Sequence, residues 1–210
     1  MTAPTVSVNY LGKRDYEPVW HAMQDFVTDR DPQQPGEIWV VEHPPVFTLG
    51  TNAKPEHVLA AGDIPLVATD RGGEVTYHGP GQLVVYPLVY LPATGLAVRT
   101  LVSALELAVV DTLAPYKIDA YPRRDAPGVY VDGKKIASIG LRIRKSWCYH
   151  GIAFNIAMDL EPFGRINPCG YAGLQITQTR DLGGPQTFAA ATAEFIPHVL
   201  KRLGYHTQQI

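Results

Sequence analysis

The sequence has few cysteines, no excess of charge of either sign and no long apolar run. Lysine and arginine total 18 against 20 acidic residues, which gives a net charge of −2. The overall charge therefore provides no attraction to nucleic acid or to an anionic membrane, and neither partner is expected. No stretch approaches the roughly 18 apolar residues that span a bilayer, and the N-terminus lacks the basic and apolar regions of an export signal. These absences predict a soluble, cytoplasmic protein.

Cysteine is limited to Cys148 and Cys169. Two cysteines without an export signal are expected to be free thiols in a reducing cytosol, although they could in principle pair. No HxxH, CxxC or carboxylate cluster has the spacing of metal ligands, so no metal site is expected.

The composition, 46% hydrophobic and 18% charged over 210 residues, is typical of one globular domain, here residues 1–210. The apolar patterns predict strands at 5–10, 37–42, 46–49, 82–91, 128–131, 134–144 and 148–156, and helices at 15–30, 98–113 and 187–203. Asp132-Gly133 predicts a tight hairpin turn. Because strands and helices mix without a regular βαβ order, we predict an α+β fold with a mixed or antiparallel sheet and flanking helices.

Cys169 stands between Pro168 and Gly170, in a segment with few core-forming residues. Such a turn presents a thiol to a cleft, whereas a thiol used as a small hydrophobe usually has core neighbours. Cys169 is therefore a candidate nucleophile, although buried inert thiols are the commoner kind. Cys148 lies on a predicted strand, where a packed or surface thiol is expected.

Residues 71–82, RGGEVTYHGPGQ, contain four glycines that would let backbone amides approach a ligand closely. Arg71 adds a cation, and Thr76 and His78 lie on the same side if the segment is a strand. The segment could bind a phosphate or the polar end of an acyl group. Its glycines could also simply mark turns at the ends of a strand. Since it lacks the Walker and dinucleotide-binding patterns, no nucleotide loop is predicted.

Lys134 and Lys135 follow the hairpin turn, and neighbours on a strand point to opposite faces. One is expected in solvent; the other could reach the interior, although an isolated lysine beside a turn is usually solvated. Ser138 and Gly140 suggest a lining of small residues that would admit a bound chain. The segment HGIA at 150–153 is expected to provide backbone contacts from its last three residues rather than histidine chemistry.

Four segments, taken together and in order, resemble the lipoyl(octanoyl) transferase family. They are RGGEVTYHGPGQ at 71–82, GVYVDGKKIASIGLRI at 128–143, HGIAFNI at 150–156 and RINPCG at 165–170. The resemblance extends from about Tyr10 to Leu182. Members of this family move an octanoyl group from acyl carrier protein to a lysine of lipoyl-domain proteins. The resemblance implies the α+β catalytic domain shared with biotin and lipoate protein ligases.

By this resemblance, Cys169 carries the acyl group as a thioester and Lys135 activates it. A nearby ammonium that lowers the pKa of a thiol by roughly 1.5 would make about half of it thiolate at neutral pH. The residues implied to line the acyl site are Arg71, Gly72, Gly73, Glu74, Val75, Thr76, Tyr77, His78, Ser138, Ile139, Gly140, Gly151, Ile152 and Ala153.

The resemblance also implies the partners. The donor is octanoyl-acyl carrier protein, and the acceptors are the lipoyl domains of 2-oxoacid dehydrogenase complexes and the glycine cleavage H protein. A thioester is reactive enough toward amines that neither ATP nor a cofactor is expected. Because the carrier is acidic, we hypothesise that a basic surface binds it, formed in part by Arg123, Arg124, Arg142, Arg144 and Lys145.

Two other functions stay open on the sequence. An ATP-dependent lipoate or biotin ligase of the same fold would adenylate a free acid and would need no nucleophile, so ATP dependence separates it. A non-catalytic module that holds an acyl chain would leave Cys169 unmodified, so a covalent adduct on Cys169 would distinguish a transferase from such a module. A generic cysteine hydrolase is disfavoured because attack by water needs an exposed site and a base placed for it.

Overall fold

The computed structural model describes residues 5–168 and 173–205. Its strands are β1 (Val6–Lys13), β2 (Gly36–Glu42), β3 (Val46–Leu49), β4 (Leu66–Ala68), β5 (Val75–His78), β6 (Gln82–Leu88), β7 (Ala120–Pro122), β8 (Gly128–Val131), β9 (Lys134–Arg144) and β10 (Trp147–Asn155). Its α-helices are α1 (Tyr16–Asp29), α2 (Leu91–Thr94), α3 (Val98–Leu113) and α4 (Phe188–Arg202).

The strands form two mixed sheets. The larger sheet has the order β1-β2-β6-β10-β9-β8-β7, in which β1 and β2 are parallel and the other pairs are antiparallel. The smaller sheet has the order β4-β3-β5, with β3 parallel to β4 and antiparallel to β5. With helices beside these sheets, the α+β prediction is confirmed.

Both faces of the larger sheet are covered, which explains the continuous apolar run of β6. Leu83 and Val85 belong to the core formed with α3 and α4. Val84 and Tyr86 belong to a second core, formed with α1. Successive strand residues point to opposite faces, so a strand covered on both sides is apolar at every position. The predicted strand at 82–91 ends earlier, at Leu88, because α2 begins at Leu91.

Local signals placed two boundaries correctly. Asp132 and Gly133 both have positive φ, +48° and +77°, as a two-residue type I′ hairpin turn requires. The hydroxyl of Thr187 accepts a hydrogen bond from the Ala190 amide and caps α4, which ends just before Gly204 with φ +78°. Within the residues described here, no helix is both long and apolar enough to cross a bilayer.

Candidate active site

A pocket opens where β5 and the loop before it face β6, β9 and β10. It brings together most of the side chains implied as site residues. The predicted residues that line it are Arg71, Gly73, Glu74, Val75, Thr76, His78, Lys135, Ser138, Ile139, Gly140, Gly151, Ile152 and Ala153. Three segments that are far apart in the sequence therefore form one cavity.

Two implied lining residues do not line this pocket. Tyr77 lies between Thr76 and His78 on β5, and the alternation of a strand turns its ring into the core of the smaller sheet, against Phe47 and Phe163. Gly72 is not among the lining residues; its amide donates to the Leu141 carbonyl oxygen at 3.0 Å and ties the loop to β9. The prediction that Thr76 and His78 share a side is confirmed, since both line the pocket.

The two lysines after the hairpin turn point to opposite faces, as predicted. Lys134 is exposed, whereas Lys135 is 1% exposed and lines the pocket. The side chain of Lys135 lies against Gly128, where a Cβ atom would be 2.4 Å from Lys135 Cε. Its ammonium lies 5.5 Å from the centroid of the Tyr130 ring, within the range of a cation–π interaction. The fold thus holds a lysine in its interior beside an aromatic ring.

The backbone of Lys135 also binds the segment that follows the Cys169 motif. The Lys135 amide donates to the Gln175 carbonyl oxygen at 2.8 Å, and the Thr177 amide donates to the Lys135 carbonyl oxygen at 2.9 Å. Cys169 itself lies outside the described residues. Pro168 is the last described residue before it, and Gln175 follows it by six positions.

Arg71 is a buried cation whose fork is held by β3. Its Nη2 donates to the carbonyl and hydroxyl oxygens of Thr48, at 2.7 and 2.9 Å, and its Nη1 donates to the Gly72 carbonyl oxygen at 3.0 Å. Hydrogen bonds to a rigid fork fix both the side chain and the loop that carries it. Arg71 therefore anchors the glycine-rich loop against the smaller sheet.

Gly151 is required by the close approach of β10 to β6. A Cβ atom at this position would lie 1.9 Å from the Val85 carbonyl oxygen and 2.9 Å from Pro87 Cδ. The next two residues, Ile152 and Ala153, contribute apolar wall to the pocket, together with Val84. The expectation of a site formed near 151–153 agrees with this placement.

Sequence reasoning missed a cluster of buried rings at the pocket. Tyr16, His43, His78, Tyr86 and His150 are all at most 5% exposed, and neighbouring ring centroids lie 5.2 to 6.4 Å apart. All but His43 line the pocket. The rings come from α1, from three separate strands and from the segment after β2, so no local spacing could have indicated them.

The hydrogen bonds of His43 and His78 are those of neutral imidazoles. His43 Nδ1 donates to the Arg14 carbonyl oxygen at 2.7 Å, and its Nε2 accepts from the Tyr86 hydroxyl at 2.9 Å. His78 Nδ1 donates to Gln82 Oε1 at 2.8 Å, and its Nε2 faces the Thr48 hydroxyl at 3.3 Å. Each ring has one donating and one accepting nitrogen, as a neutral imidazole does.

Burial favours the same uncharged forms. It lowers the pKa of His43 to about 4. Burial, with the charges of His43 and Arg71 acting in the same direction, lowers the pKa of His78 to about 3. It also raises the pKa of Tyr16 to about 12. At neutral pH these three rings are therefore uncharged, and two of them, His78 and Tyr16, line the pocket.

His150 is held by Asp70, the residue before the glycine-rich loop. Its Nε2 donates to Asp70 Oδ1 at 2.8 Å, and the same carboxylate accepts from Trp20, Gln24 and the Tyr149 hydroxyl. Burial alone would raise the pKa of Asp70. The hydrogen bonds from these donors, of which the bond from His150 has the largest effect, instead hold that pKa well below its usual range. His150 has φ +57°, a left-handed conformation that a non-glycine residue in a strand seldom adopts. A strained histidine fixed by a carboxylate was not expected from the sequence.

Cys148 is the packed thiol that the sequence predicts. It is fully buried in the core formed with α3 and α4, and burial raises the pKa of its thiol far above the ordinary value. A thiol in this environment is a poor nucleophile because its thiolate is strongly disfavoured.

The five basic residues of the hypothesised carrier surface fall into two groups, Arg123 with its sequence neighbour Arg124, and Arg142 with Arg144 and Lys145. The Arg123 guanidinium pairs with Asp125 and lies 5.1 Å from the centroid of Tyr130, at the Lys135 end of β9. Arg142, Arg144 and Lys145 are exposed at the other end of that strand, seven or more residues from Lys135. At about 3.3 Å per residue, this separation exceeds roughly 20 Å. The five residues therefore do not form one patch.

Comparison with known proteins places this fold and pocket in a class. Residues 15–204 match the family model of the lipoyl protein ligase A/B catalytic domain. The bipartite lipoate protein ligase of Thermoplasma acidophilum, from an archaeal lipoylation system that includes its E2 lipoyl domain, superposes with a TM-score of 0.76 at 14% identity, over 100% of this chain and 87% of that chain. A biotin protein ligase from Aquifex aeolicus, solved with biotin and ATP, gives 0.57 at 14% identity, over 94% and 70%. The predicted fold relationship to lipoate and biotin ligases is confirmed.

A curated relative narrows the class. The octanoyltransferase of Shewanella baltica is 56% identical over 205 residues, covering 98% of this chain and 94% of the relative. The chain therefore belongs to the lipoyl protein ligase A/B family, on the branch of the octanoyltransferases, and is an acyltransferase.

Proposed function

We propose that the protein transfers an octanoyl group from octanoyl-acyl carrier protein to a lysine of a lipoyl domain, through a thioester on Cys169. The acceptors are the lipoyl domains of 2-oxoacid dehydrogenase complexes and the glycine cleavage H protein, and the reaction takes place in the cytoplasm. The main support is Lys135, a lysine buried at a pocket with apolar walls and joined by two backbone hydrogen bonds to the segment after Cys169.

In the first half-reaction, the Cys169 thiolate attacks the carbonyl carbon of the donor thioester. The bond to the carrier sulfur then breaks, and the carrier thiolate takes a proton from the Lys135 ammonium. The products are an acyl-enzyme and a neutral Lys135 amine. A buried lysine suits this role because its charge responds strongly to neighbouring groups.

In the second half-reaction, the acceptor lysine attacks the acyl-enzyme as a neutral amine. Its nitrogen forms the amide bond, the bond to Cys169 sulfur breaks, and Lys135 takes the proton that the nitrogen loses. The enzyme returns to a thiolate and an ammonium. Since one thioester bond is exchanged for another and then for an amide, no ATP is consumed.

The lining of the pocket supports an acyl substrate. Val75, Val84, Ile139, Ile152 and Ala153 provide apolar surface. Apolar walls with few polar groups are typical of small-molecule sites, and here they suit a narrow hydrocarbon chain.

Mass spectrometry of the intact protein tests the proposal. After incubation with octanoyl-acyl carrier protein and no acceptor, we expect one octanoyl group per chain, on the peptide that contains Cys169. Cys169→Ser should form no thioester adduct, whereas Cys148→Ser is the matched control and should be modified normally. A requirement for ATP and free octanoate would favour a ligase, and binding without an adduct would favour a non-catalytic module.

A further inference from the structure

Helix α3 carries an acidic residue in its buried face. Glu106 is 6% exposed, and its neighbours Leu105 and Val109 belong to the main hydrophobic core. A buried carboxylate is costly unless hydrogen bonds and an opposite charge compensate for its lost hydration. The surroundings of Glu106 provide both.

The hydrogen bond leads directly to Lys135. Glu106 Oε1 accepts from the Gly128 amide at 2.7 Å. Gly128 has φ +133°, and a Cβ atom built on it would lie 2.4 Å from Lys135 Cε and 3.1 Å from Lys135 Nζ. Because the amide nitrogen and a Cβ atom of one residue are only ~2.5 Å apart, the carboxylate oxygen and the ammonium lie within about 8 Å of each other.

Several charged groups packed against α3 and around Lys135 have their own described partners, and Arg71 and Glu74 line the same pocket as Lys135. On α4, Glu194 accepts from the Tyr116 hydroxyl, and Arg202 pairs with Asp111 at the far end of α3. Near Lys135, Arg123 pairs with Asp125, and the Tyr130 hydroxyl donates to the Ala126 carbonyl oxygen. Burial raises the pKa of Glu106, while the Gly128 amide and the charge of Lys135 oppose that shift.

We propose that Glu106 is a positioning residue that keeps Lys135 in the ammonium form in the resting enzyme. It does so by placing a negative charge behind Gly128, on which the lysine side chain lies. This role rests on the proposed function of Lys135, because the ammonium is the form that stabilises the Cys169 thiolate.

The size of the effect follows from the distance. A buried amine without an opposite charge tends to lose its proton. With an effective dielectric constant of about 20, opposite unit charges about 8 Å apart favour the ionised pair by roughly thirtyfold. On the proposed function, loss of the negative charge would favour proton transfer from the Lys135 ammonium to the Cys169 thiolate, and the resulting thiol would react more slowly.

Glu106→Gln is the sharpest test because it keeps an oxygen acceptor for the Gly128 amide and removes only the charge. The readout is the rate at which iodoacetamide alkylates Cys169, followed by peptide mass from pH 5 to pH 10. We expect the rate at pH 7 to fall roughly tenfold and the profile to move to higher pH, because alkylation requires the thiolate. An unchanged profile would overturn the proposal.

A double-mutant cycle separates an electrostatic role from a merely structural one. In a Lys135→Met background, Glu106→Gln should have no further effect on alkylation, since the charge it acts on is gone. A loss of similar size in that background would overturn the proposal. If the variant fails to fold, NMR of wild-type protein with 13C at lysine Cε still tests the proposal: an amine resonance for Lys135 at pH 8 contradicts it.

None of these measurements uses an acyl donor. A failure to form the octanoyl adduct would therefore count against the proposed function and leave the test of Glu106 intact.

Discussion

Acid should destabilise this protein through its buried histidines. His43 is fully buried and His78 is 5% exposed, and burial lowers their pKa values to about 4 and about 3. In the unfolded chain each would titrate near the ordinary value of about 6.5. Between these limits the unfolded state binds protons that the folded state does not, so stability falls as pH falls below about 6.5.

The loss of stability at pH 5 depends little on the pKa values of the two histidines in the folded protein. Both pKa values lie below pH 5, so each histidine stays neutral in the folded protein at that pH. In the unfolded chain each is protonated, because pH 5 is about 1.5 pH units below its unfolded pKa. This protonation favours the unfolded state by about 2 kcal/mol per histidine. The pair therefore costs about 4 kcal/mol between pH 7 and pH 5. His150 acts in the same direction, because burial lowers its pKa. A total stability of roughly 5–15 kcal/mol is ordinary, so this loss is large.

Urea unfolding at pH 7 and pH 5, followed by circular dichroism, measures this directly. His43→Asn keeps a side-chain donor toward the Arg14 carbonyl oxygen and cannot titrate. We expect the variant to be less stable at pH 7, but to lose only about half as much as wild type on going to pH 5. His21→Asn, on the exposed surface of α1, is the matched control and should lose as much as wild type. Equal free energies of unfolding at the two pH values in wild type would refute the reasoning.

Three further predictions concern the site and its surface. Lys135→Ala should reduce octanoyl transfer at least a hundredfold, because a proton-transferring group contributes roughly 10²- to 10⁴-fold to the rate. Lys134→Ala should change it less than about twofold, because this exposed lysine faces away from the pocket. Steady-state assays check both variants, and the reverse ranking would show that the faces are misassigned. Gly151→Ala should lower the free energy of unfolding by more than about 2 kcal/mol, since its Cβ would overlap the Val85 carbonyl oxygen. Gly95→Ala should cost less despite its positive φ, because a Cβ at Gly95 would have no atom within 4 Å. Urea titrations compare the two variants, and equal losses would contradict the close approach at Gly151. Reversing the charges of Arg142 and Arg144 should lower kcat/KM with octanoyl-acyl carrier protein several-fold at low salt, because exposed charges act mainly on the rate of association. The reaction with a small neutral octanoyl thioester should stay nearly unchanged. Equal losses with both donors would rule out a role of these charges in steering the carrier protein.

The sequence was most informative where local chemistry decides the structure. The hairpin at Asp132-Gly133, the cap at Thr187 and the opposite faces of Lys134 and Lys135 all follow from interactions within a few residues. Most of the residues implied for the acyl site also line one pocket, since the quoted segments lie on β5, β9 and β10, which meet there. Tyr77 was the clearest exception, although the same alternation that placed Thr76 and His78 correctly turns it away.

Long-range pairs were beyond the reach of sequence patterns. Asp70 and His150 are 80 positions apart, and Glu106 and Gly128 are 22 apart, with no spacing rule that links them. The prediction of backbone contacts from residues 151–153 rather than histidine chemistry stays a prediction, and it did not anticipate that His150 lines the pocket. In the sequence, Glu106 cannot be distinguished from an exposed polar residue of a helix. Its burial becomes evident only when α3 is packed against the sheet.

The electrostatics of the pocket suit an apolar substrate. Burial keeps His78 and His150 neutral and Tyr16 and Tyr86 protonated at physiological pH, while the charge of Arg71 is directed to the oxygen atoms of Thr48. A hydrocarbon chain then meets uncharged rings and apolar side chains, beside Lys135, for which we propose the proton transfer. Acid would charge the histidines and place cations along the same walls, which would oppose binding of an acyl chain as well as folding. The neutrality that makes the fold sensitive to acid is therefore a property that suits this pocket to the octanoyl group we propose for it.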